Sequence, residues 1–579
     1  MNKYRTVYCG ELRKNNIGDT VIVAGWVEQI RNLGSLVFVT LRDETGVIQL
    51  ISEEIDKYKD LTRESTITAT GVVRSRAEGM TNPNMKTGEV EVLISSYEIL
   101  GKAKAVLPFE INRSTEAFED TRLKYRYLDL RNPWVHERIL FRSRVIDFIR
   151  KTMKDMNFTE IQTPIITASS PEGARDFIIP SRKYKGKFYA LPQAPQIFKQ
   201  LLMCSGFDRY FQIAPCFRDE DARSDRLYGE FYQLDFEMSF ATEEDVYEVG
   251  QKFFYNVFTE FGDKKVTDIP FRRIPYRKAM LEYGTDKPDL RNPLVIIDIT
   301  DILSESSFEP FKTSYIRGIK VKNIEKSNSW YKKIEEYIKS IGGSGLSYIK
   351  INSDMTFKSS IDKFLDDNLR KKLIERCDLE EGSTLFILAD KKNKINKLAG
   401  DLRIKLGEEL DLIDKSKYEF CIVNDFPMFE YNEEDNTWDF GHNPFSMPQK
   451  GLEALREDNI ENILAYQYDF VCNGYEVASG AVRNHNIDIM KKAFSLVGYS
   501  EETVENKFKS LYTAFQYGAP PHAGMAPGVD RILMLLKDEE NIREMVAFPL
   551  AANGTDAMMG CPNEVFEKQL KEVHIKISD

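Results

Sequence analysis

Residues Cys216 to Phe240 read CFRDEDARSDRLYGEFYQLDFEMSF, and this stretch is the strongest indication of the fold. Its first half is crowded with charge, because arginine or a carboxylate occupies five of the six positions from Arg218 to Arg223. From Glu230 onward, large apolar side chains recur at every second position, and this pattern predicts a β-strand. The stretch therefore predicts two strands joined by a charged loop.

A hairpin of this kind can hold an arginine over a phosphate, because the planar guanidinium forks onto two phosphate oxygens. The alternative interpretation is a charged loop that is simply solvated, since most runs of charge face water. The residues of the loop alone leave both interpretations open.

The first hundred residues predict a small β-barrel. Five short β-rich runs lie there, separated by turn residues, which suits a Greek-key barrel of the OB type. Such barrels bind single-stranded nucleic acid by stacking bases on aromatic side chains and by following phosphates with basic ones. The runs are VIVAGWVEQI, SLVFVTLRD, GVIQLIS, STITATGVVRSR and GEVEVLISSYEIL.

Length and composition indicate a globular protein of more than one domain. The chain has 579 residues, more than a single core usually holds, and an apolar fraction of 42%. It contains no run of about 20 apolar residues and no signal-peptide core, so neither a membrane span nor export is expected. Seven scattered cysteines without a CxxC pair favour a reducing, cytoplasmic compartment over disulfides or a zinc site.

A formal net charge of −11 argues against a protein coated with basic charge for nucleic acid. Between residues 122 and 151, however, basic residues outnumber acidic ones. This local track predicts either a helix with a basic solvated face or a contact with RNA. Its members are Arg122, Lys124, Arg126, Arg131, Arg138, Arg142, Arg144, Arg150 and Lys151.

Three further features complete the prediction of structure. Helical spacing predicts a helix from Val135 to Met156. Pro164 lies in the run after this helix, and it confines that run to the edge of a sheet or to an interface. Between residues 289 and 414, β-rich runs alternate with lysine-rich helical runs, which predicts an inserted α+β domain. A buried strand is predicted within EFCIVNDFPMFEY, at residues 419–431.

Three motifs, in order along the chain, resemble those of the class II aminoacyl-tRNA synthetases in the form found in bacterial aspartyl-tRNA synthetases. The family pattern FRDED-x-R-x-DR, followed by EF and QLD, occurs in the stretch quoted first. SPEGARDF occurs at residues 170–177 and GAPPHAGMAPGVDRILML at residues 518–535. The resemblance covers the whole chain and implies a multidomain α+β fold with an antiparallel-sheet catalytic domain.

The domain order that the resemblance implies begins with the barrel and splits the catalytic domain around the insertion. The expected segments are an OB-type anticodon-binding barrel at 1–106, a linker at 107–134, the first catalytic part at 135–288, the inserted α+β domain at 289–414, the second catalytic part at 415–550 and a C-terminal extension at 551–579.

The activity implied by the resemblance is aspartate–tRNA ligation. L-aspartate and ATP give aspartyl-adenylate and pyrophosphate, and aspartate then passes to the 3′-terminal adenosine of tRNA(Asp), with tRNA(Asn) as a possible second substrate. Mg²⁺ and a homodimer are also implied. Activation depends on alignment and on neutralising phosphate charge, so no side-chain nucleophile is required. Two alternatives stay open: a catalytically inactive synthetase-like paralogue that binds tRNA, and an asparaginyl or lysyl ligase.

The resemblance also assigns roles by position, with Arg218 and Arg531 as the catalytic residues. L-aspartate is expected to contact Glu172, Gln196, Lys199, Arg218, Gln233, Asp235, His442 and Arg483. ATP is expected to contact Arg218, Asp219, Glu220, Leu227, Phe231, Glu476, Gly528, Val529, Asp530 and Arg531. Magnesium is expected at Asp469 and Glu476. The anticodon is expected at Arg31, Leu33, Phe38, Gln49, Arg74, Arg76 and Glu91.

Some positions depart from the family pattern. DRLYGEF is one residue longer than the usual DRQPEF, so Leu227 replaces a glutamine that touches ATP, and Asn443 replaces the second histidine of HHPF. In the anticodon region Leu33 favours charging of tRNA(Asp) alone, because an apolar side chain offers no hydrogen bond to the alternative base. Gly79 gives no such restraint. On balance we expect the selective form.

Overall fold

The structure, a computed structural model, describes residues 2–169, 174–432, 435–456 and 459–578. These residues form two compact units, 1–117 and 118–579. Within the described part of the chain, no helix is long and apolar enough to cross a membrane. All seven cysteines have free thiols.

The first unit contains the predicted barrel. Its strands are β1 (Thr20–Leu33), β2 (Leu36–Asp43), β3 (Gly46–Ser52), β4 (Thr66–Ser75) and β5 (Val90–Gly101). They close in the order β1–β2–β3–β5–β4. Val23, Val39 and Leu50 fill the interior, because alternate side chains of each strand point inward. Gly25 lets β1 pass close to β2, since a Cβ there would lie 2.3 Å from the carbonyl oxygen of Arg42.

Residues 118–288 supply the first set of elements of the second unit. Its helices are α1 (Glu119–Lys124), α2 (Arg126–Asp129), α3 (Pro133–Asp155), α4 (Gln196–Cys204), α5 (Glu243–Phe261) and α6 (Tyr276–Glu282). Its strands are β6 (Thr159–Glu160), β7 (Ile178–Pro180), β8 (Phe188–Ala190), β9 (Arg209–Arg218), β10 (Gly229–Ser239), β11 (Lys265–Val266) and β12 (Arg272–Pro275). The predicted strand–loop–strand stretch is therefore the β9–β10 hairpin, and the predicted helix at 135–156 is α3.

Residues 289–414 form the expected insertion. It contains β13 (Ile296–Asp298), α7 (Thr300–Leu303), α8 (Glu309–Lys312), β14 (Tyr315–Lys322), α9 (Asn328–Ser340), β15 (Ser347–Ile351), β16 (Phe357–Lys358), α10 (Asp367–Cys377), β17 (Ser383–Asp390) and α11 (Lys392–Glu409). The five strands pair antiparallel in the order β13–β14–β17–β15–β16. Leu385 and Ile387 of β17 enter one apolar cluster, and Phe386 and Leu388 enter another. Both faces of this sheet are therefore covered, which explains an apolar run without alternation.

The remaining elements follow the insertion. They are β18 (Lys417–Tyr418), β19 (Phe420–Pro427), β20 (Phe429–Asn432), β21 (Thr437–Phe440), β22 (Leu464–Cys472), β23 (Tyr475–Val482), α12 (Ile487–Leu496), α13 (Glu501–Lys507), α14 (Lys509–Phe515), β24 (His522–Pro527), α15 (Val529–Leu536) and α16 (Glu567–Glu572). The buried strand predicted from EFCIVNDFPMFEY is β19.

Strands from both sides of the insertion build one eight-stranded sheet, in the order β12–β19–β22–β23–β24–β10–β9–β6. Its six central strands pair antiparallel, and β12 and β6 add parallel at the two edges. The short edge strand β6 precedes the exposed Pro164, as the edge prediction requires. One face of the sheet packs on α3, α5 and α15 through a cluster that includes Phe236, Phe254 and Met525.

The basic track at 122–151 is neither a solvated face nor a free RNA contact at four of its arginines, so both predictions were wrong there. Arg122 binds Asp129 and Glu544, and Arg126 binds Asp129 and the carbonyl oxygens of residues 546 and 547. Arg138 binds Glu539, and Arg142 binds Asp530. Sequence distance hides these pairs, because each carboxylate outside the track lies about 400 positions away.

Candidate active site

The β9–β10 hairpin presents its two faces to different surroundings. Leu234, Phe236 and Met238 point into the apolar core, whereas Asp235 and Glu237 are fully buried on the opposite face. The predicted alternation is thus present, but the polar face is as buried as the apolar one. Buried carboxylates require partners, and those partners define the site.

Two cavities meet along this polar face. One, of about 160 Å³, is lined by the charged loop and by the start of α15. The other, of about 280 Å³, extends from β10 to α4 and to the loop after β21. Arg218, Gln233 and Glu476 line both cavities. A ligand that occupied the two compartments together would pass directly over Arg218.

The first compartment combines an aromatic face with two arginines. The guanidinium carbon of Arg218 lies 5.0 Å from the centre of the Phe231 ring. Arg531 donates to the carbonyl oxygen of Glu476, and its Nη2 lies 3.4 Å from Oδ2 of Asp225. Among the described residues, Nε of Arg218 and Nε of Arg531 are buried without a hydrogen-bond partner. An aromatic ring beside unused guanidinium donors suits a nucleotide base and its phosphates.

Other residues assigned to ATP have mainly structural contacts. Asp530 accepts from the backbone N–H of Tyr232 at 2.7 Å and also binds Arg142. Val529 is fully buried in the core, and Leu227 packs with Met534 and Ile542 under the compartment. Gly528 caps α15, and a Cβ there would meet nothing closer than 3.8 Å, so the space beside it is open. Asp530 still lines the first compartment, whereas the Val529 side chain lies in the core.

Asp219 and Glu220 are held by neighbours in the charged loop. Glu220 accepts from Arg226 at 2.7 Å, and Asp219 accepts from the Tyr228 hydroxyl at 3.0 Å. The backbones of Asp219 and Arg175 also pair, which ties this loop to the end of the SPEGARDF motif. The charged loop is therefore ordered by internal pairs rather than merely solvated.

Four buried charges lie at the wall of the second compartment, and Lys199, Asp235 and Arg483 among them line it. Lys199 on α4 donates to Asp235 at 2.7 Å and lies 3.3 Å from Glu237. Arg483, just after β23, makes two bonds to Glu237, at 2.8 and 3.1 Å. We call Lys199, Asp235, Glu237 and Arg483 the charge quartet. Both expected cations are present, but neither is free, because carboxylates of the protein already pair with them.

The quartet carries no net charge, because its two cations balance its two carboxylates. Burial raises the pKa of Asp235, and Lys199 opposes this effect. Burial also works against ionisation of Glu237, yet Arg483 and Lys199 together hold its pKa below the usual range. In the part of the chain that the structure covers, Oδ2 of Asp235 and Nε2 of the nearby Gln196 are buried without partners. Both atoms can still bind a polar ligand.

Glu237, Gln200 and His522 were missed by sequence reasoning. His522 packs behind the quartet, where Gln200 is 3.2 Å from its Nε2 and the carbonyl of Pro520 is 2.8 Å from its Nδ1. Burial lowers the pKa of His522 to about 4, so the ring adds no charge at neutral pH. The alternation of β10 placed Glu237 on the same face as Asp235, and this was the signal that could have found it.

His442 lines the second compartment, as expected. Its ring packs edge-on against Phe426, with the ring centres 4.8 Å apart, and burial lowers its pKa. Asn443, the replacement for the second histidine, accepts from the N–H of Phe445 at 2.9 Å and so orders this loop. Glu172, also assigned to the ligand, lies outside the described residues.

Asp469 and Glu476, expected to bind magnesium, both line the second compartment, and Glu476 also lines the first. Burial, followed by the charge of Glu476, raises the pKa of Asp469 well above its usual range. Its Oδ1 has no hydrogen-bond partner among the described residues. An orphaned carboxylate oxygen beside a second carboxylate fits a hard divalent cation. No cluster of three or more metal-binding side chains exists within the described residues, so phosphate oxygens would complete the coordination.

The expected anticodon residues lie together on the outer face of the barrel. Arg31 lies opposite Phe38 in the β1–β2 pair, and Phe38 is half-buried rather than part of the barrel core. A chain of polar contacts runs from Arg31 to Gln49 at 3.4 Å and from Gln49 to Glu91 at 2.7 Å. Arg74 then binds Glu91 at 2.9 Å.

Two more of these residues border that outer face. Arg76 donates to the carbonyl of Val90 at 3.3 Å, which keeps it next to Glu91. Leu33 is 63% exposed at the end of β1. An aromatic ring opposite Arg31, on a barrel face that also carries hydrogen-bonded polar side chains, suits a single-stranded nucleic acid.

The fold and the two joined compartments define a nucleotide-using enzyme with a nucleic-acid-binding barrel. Residues 118–552 match the family described as class II tRNA synthetases (D, K and N), and residues 21–100 match the OB-fold nucleic acid binding domain. The chain therefore belongs to the class II tRNA synthetases of the D, K and N group. Enzymes of this class use ATP.

Curated relatives match over the full length. The chain is 50% identical to an aspartate–tRNA(Asp/Asn) ligase of Rickettsia bellii, with 100% of the chain and 98% of the relative covered. It is 49% identical to a ligase with the same description from Ehrlichia chaffeensis, with both chains fully covered.

Among solved structures, the chain is similar to asparaginyl-tRNA synthetase from Pyrococcus horikoshii bound to asparaginyl-adenylate. The TM-score is 0.58 at 19% identity, with 94% of this chain and 97% of that chain covered. A putative aspartyl-tRNA synthetase from Leishmania major gives a TM-score of 0.57 at 20% identity, with 95% and 94% covered. These structures support the shared fold.

Tyr228, in the lengthened part of the charged loop, contacts the C-terminal segment. Tyr228 sets the position of Asp219 through its hydroxyl, and its ring packs edge-on against Phe177. Its other neighbour is Gly554, where a Cβ would lie 2.8 Å from the ring. The C-terminal segment therefore limits where Tyr228, and with it Asp219, can lie.

We predict that Gly554→Ala weakens ATP binding several-fold, because the new methyl group displaces the Tyr228 ring from Asp219. In a Tyr228→Ala background the same substitution should add little, since the clash is gone. Calorimetric titration with ATP measures both effects. Gly560→Ala is the matched control: its φ of +68° resembles the +77° of Gly554, but no atom lies within 4 Å of its Cβ. Equal effects of Gly554→Ala with and without Tyr228 would refute the coupling.

Proposed function

We propose that this protein is an aspartate–tRNA ligase that activates L-aspartate with ATP and transfers it to tRNA. The observation that carries the proposal is the position of Arg218, at the junction between an aromatic–arginine compartment and the charge quartet. ATP in the first compartment and an amino acid in the second would bring the α-phosphate and the α-carboxylate together over one guanidinium. The full-length relatives, which are described as aspartate ligases, support the same activity.

The chemistry that this arrangement supports is alignment and charge neutralisation. Arg218 binds the α-carboxylate and the α-phosphate, so the attacking oxygen faces phosphorus while negative charge develops on the phosphate oxygens. Phe231 supports the adenine ring, and Arg531 neutralises the departing pyrophosphate. Asp235 accepts from the α-amino group through its unpaired Oδ2, and Gln196 accepts through its amide oxygen, whereas the unpaired Nε2 of Gln196 is a donor and faces an acceptor oxygen of the amino acid.

Charge balance in the second compartment favours aspartate. The quartet is neutral, and once Arg218 has paired with the α-carboxylate, the ammonium and the side-chain carboxylate of aspartate cancel one another beside it. Asparagine has no such carboxylate, so its ammonium would remain uncompensated near buried Lys199 and Arg483. An uncompensated buried charge costs roughly 3 to 5 kcal/mol, a discrimination of several hundred-fold or more.

Magnesium belongs to the same proposal. Asp469 and Glu476 would hold the ion where the compartments meet, and the ion would neutralise phosphate charge there. The orphaned oxygen of Asp469 supports this assignment.

We also propose that the barrel reads the anticodon through Phe38, Arg31, Gln49, Glu91 and Arg74, and that both tRNA(Asp) and tRNA(Asn) are charged. Relatives at about 50% identity are described as ligases for both tRNAs. They weigh against the selective form that Leu33 favoured. The exposure of Leu33 accounts for the difference, because an unrestrained side chain at a strand end can move aside for the alternative base.

We further propose that the protein is a homodimer and is located in the cytoplasm. Ile165 and Ile166, directly after Pro164, are 48% and 58% exposed, which supports a homodimer that buries this edge of the sheet. The seven free thiols support a cytoplasmic location.

We predict amino-acid-dependent exchange of pyrophosphate into ATP with L-aspartate and at least several-hundred-fold weaker exchange with L-asparagine, for the charge reason given above. Arg218→Lys should abolish most of this exchange, because an ammonium cannot fork onto two oxygens. Lys151→Met, on the exposed end of α3, is the control and should leave exchange unchanged. Similar exchange with asparagine and aspartate would refute the assignment.

We predict aspartylation of tRNA(Asp) and tRNA(Asn) transcripts with kcat/KM values within about tenfold, because the exposed Leu33 side chain can move aside and then costs the alternative base no more than the low end of the about 1 to 3 kcal/mol that a base contact contributes. Charging assays on the two transcripts measure the ratio. Strong selectivity for tRNA(Asp) would restore the prediction made from Leu33.

We predict a homodimer in solution because the apolar edge around Ile165 needs cover. Light scattering at micromolar concentration should give twice the chain mass of 66.9 kDa. Ile166→Asp should shift the mass toward the monomer, whereas Met80→Asp, on the exposed rim of the barrel, should not. A monomeric mass for the unmodified protein would contradict the prediction.

A further inference from the structure

Lys287 lies in the second compartment and has no role in the activity described so far. It follows α6, in the segment that leads into the insertion. Its Nζ lies 3.3 Å from Oε2 of Glu476 and 2.9 Å from Oδ2 of Asp286. Lys287 therefore pairs with one of the two carboxylates that fit a divalent cation.

The chain just before Lys287 is held by a hydrogen bond and by a close backbone contact. The Thr285 hydroxyl accepts from the backbone N–H of Lys287 at 3.1 Å. Gly284, with a φ of +72°, packs directly on Gly400 of α11, where a Cβ on Gly284 would lie 2.6 Å from the Gly400 Cα atom. Substitution there would push the segment away, so the insertion helps to keep Lys287 in place.

Farther along the same segment, a buried arginine fastens it to α11. Arg403 is almost fully buried and donates to the carbonyl oxygens of Asp289, Asn292 and Leu294 at 2.6 to 2.8 Å. The segment that bears Lys287 is thus anchored within a few residues of the lysine, which favours a fixed cation over a freely moving one.

The charges around Lys287 explain what a fixed cation does there. Asp286, Asp469 and Glu476 carry three negative charges when ionised, and Lys287 leaves a net charge of −2 that a divalent cation can cancel. The Lys287 Nζ lies within salt-bridge distance of both Glu476 and Asp286, so the ammonium offsets part of this negative charge. The same ammonium repels any cation that approaches Glu476.

We propose that Lys287 is an internal counter-ion that keeps the Asp469–Glu476 pair assembled and weakens its binding of divalent cations in the absence of nucleotide. Because phosphate oxygens supply the missing attraction, the metal then binds tightly only together with the nucleotide. Lys287 is in this sense a positioning residue. The inference rests on the proposed function, since that function supplies the nucleotide.

The test measures the binding of Mn²⁺ alone to the intact protein without nucleotide. Electron paramagnetic resonance detects the bound ion. We expect Lys287→Met to bind Mn²⁺ at least tenfold more tightly than the unmodified protein, because a like charge in contact with the same carboxylate has been removed. Lys287→Arg keeps the charge and should behave like the unmodified protein. Adding Glu476→Gln to Lys287→Met should abolish the gain.

Lys278→Met is the matched control, since this exposed lysine on α6 pairs only with Glu282 among the described residues; its Mn²⁺ affinity should not change. Lys287→Gln replaces Lys287→Met if the latter does not fold. Mn²⁺ affinity that fails to rise in a folded, uncharged variant at position 287 would overturn the inference. Because this measurement uses neither aspartate nor tRNA, its result is independent of the exchange assay that tests the proposed function.

Discussion

The charge quartet is the interaction on which the catalytic unit depends. Lys199, Asp235, Glu237 and Arg483 are all buried, and an isolated ion at such a position costs several kcal/mol. Each charge is therefore stable only when α4, β10 and the end of β23 are docked together. Pairing of β10 with β24 brings these distant parts of the chain side by side. The ion pairs within the quartet make the burial of these four charges tolerable. They also leave a neutral pocket with unpaired polar atoms, which can recognise an amino acid.

A second set of ion pairs holds the elements that line the first compartment. Asp530 joins the backbone of β10 to Arg142 of α3, and the adjacent Arg531 faces the cavity. Arg122 and Arg126 fasten the segment before α3 to residues 544–547. Arg122, Arg126, Arg138 and Arg142 of the basic track therefore act as a scaffold, because carboxylates inside the protein neutralise their charges.

The insertion helps to hold a segment that lines the active site of the catalytic domain. Arg403 and the contact between Gly284 and Gly400 tie α11 to the segment that carries Lys287. In the second compartment, cations pair with carboxylates of the protein: Lys199 with Asp235, Arg483 with Glu237 and Lys287 with Glu476. A site built this way is neutral or weakly charged when free, so substrate charges determine which ligand completes the balance.

The sequence by itself determined the elements whose signals are local. Period-two alternation predicted β10, helical spacing predicted α3, five short runs predicted the barrel, and three motifs identified the family together with most of the residues that line the site. Only the tertiary structure decided which charges meet. In the structure, Glu237 pairs with Arg483, Asp530 pairs with Arg142, and Lys287 pairs with Glu476. Electrostatic pairing depends on the distance between two charges and on their burial. The sequence gives neither quantity for residues that lie hundreds of positions apart.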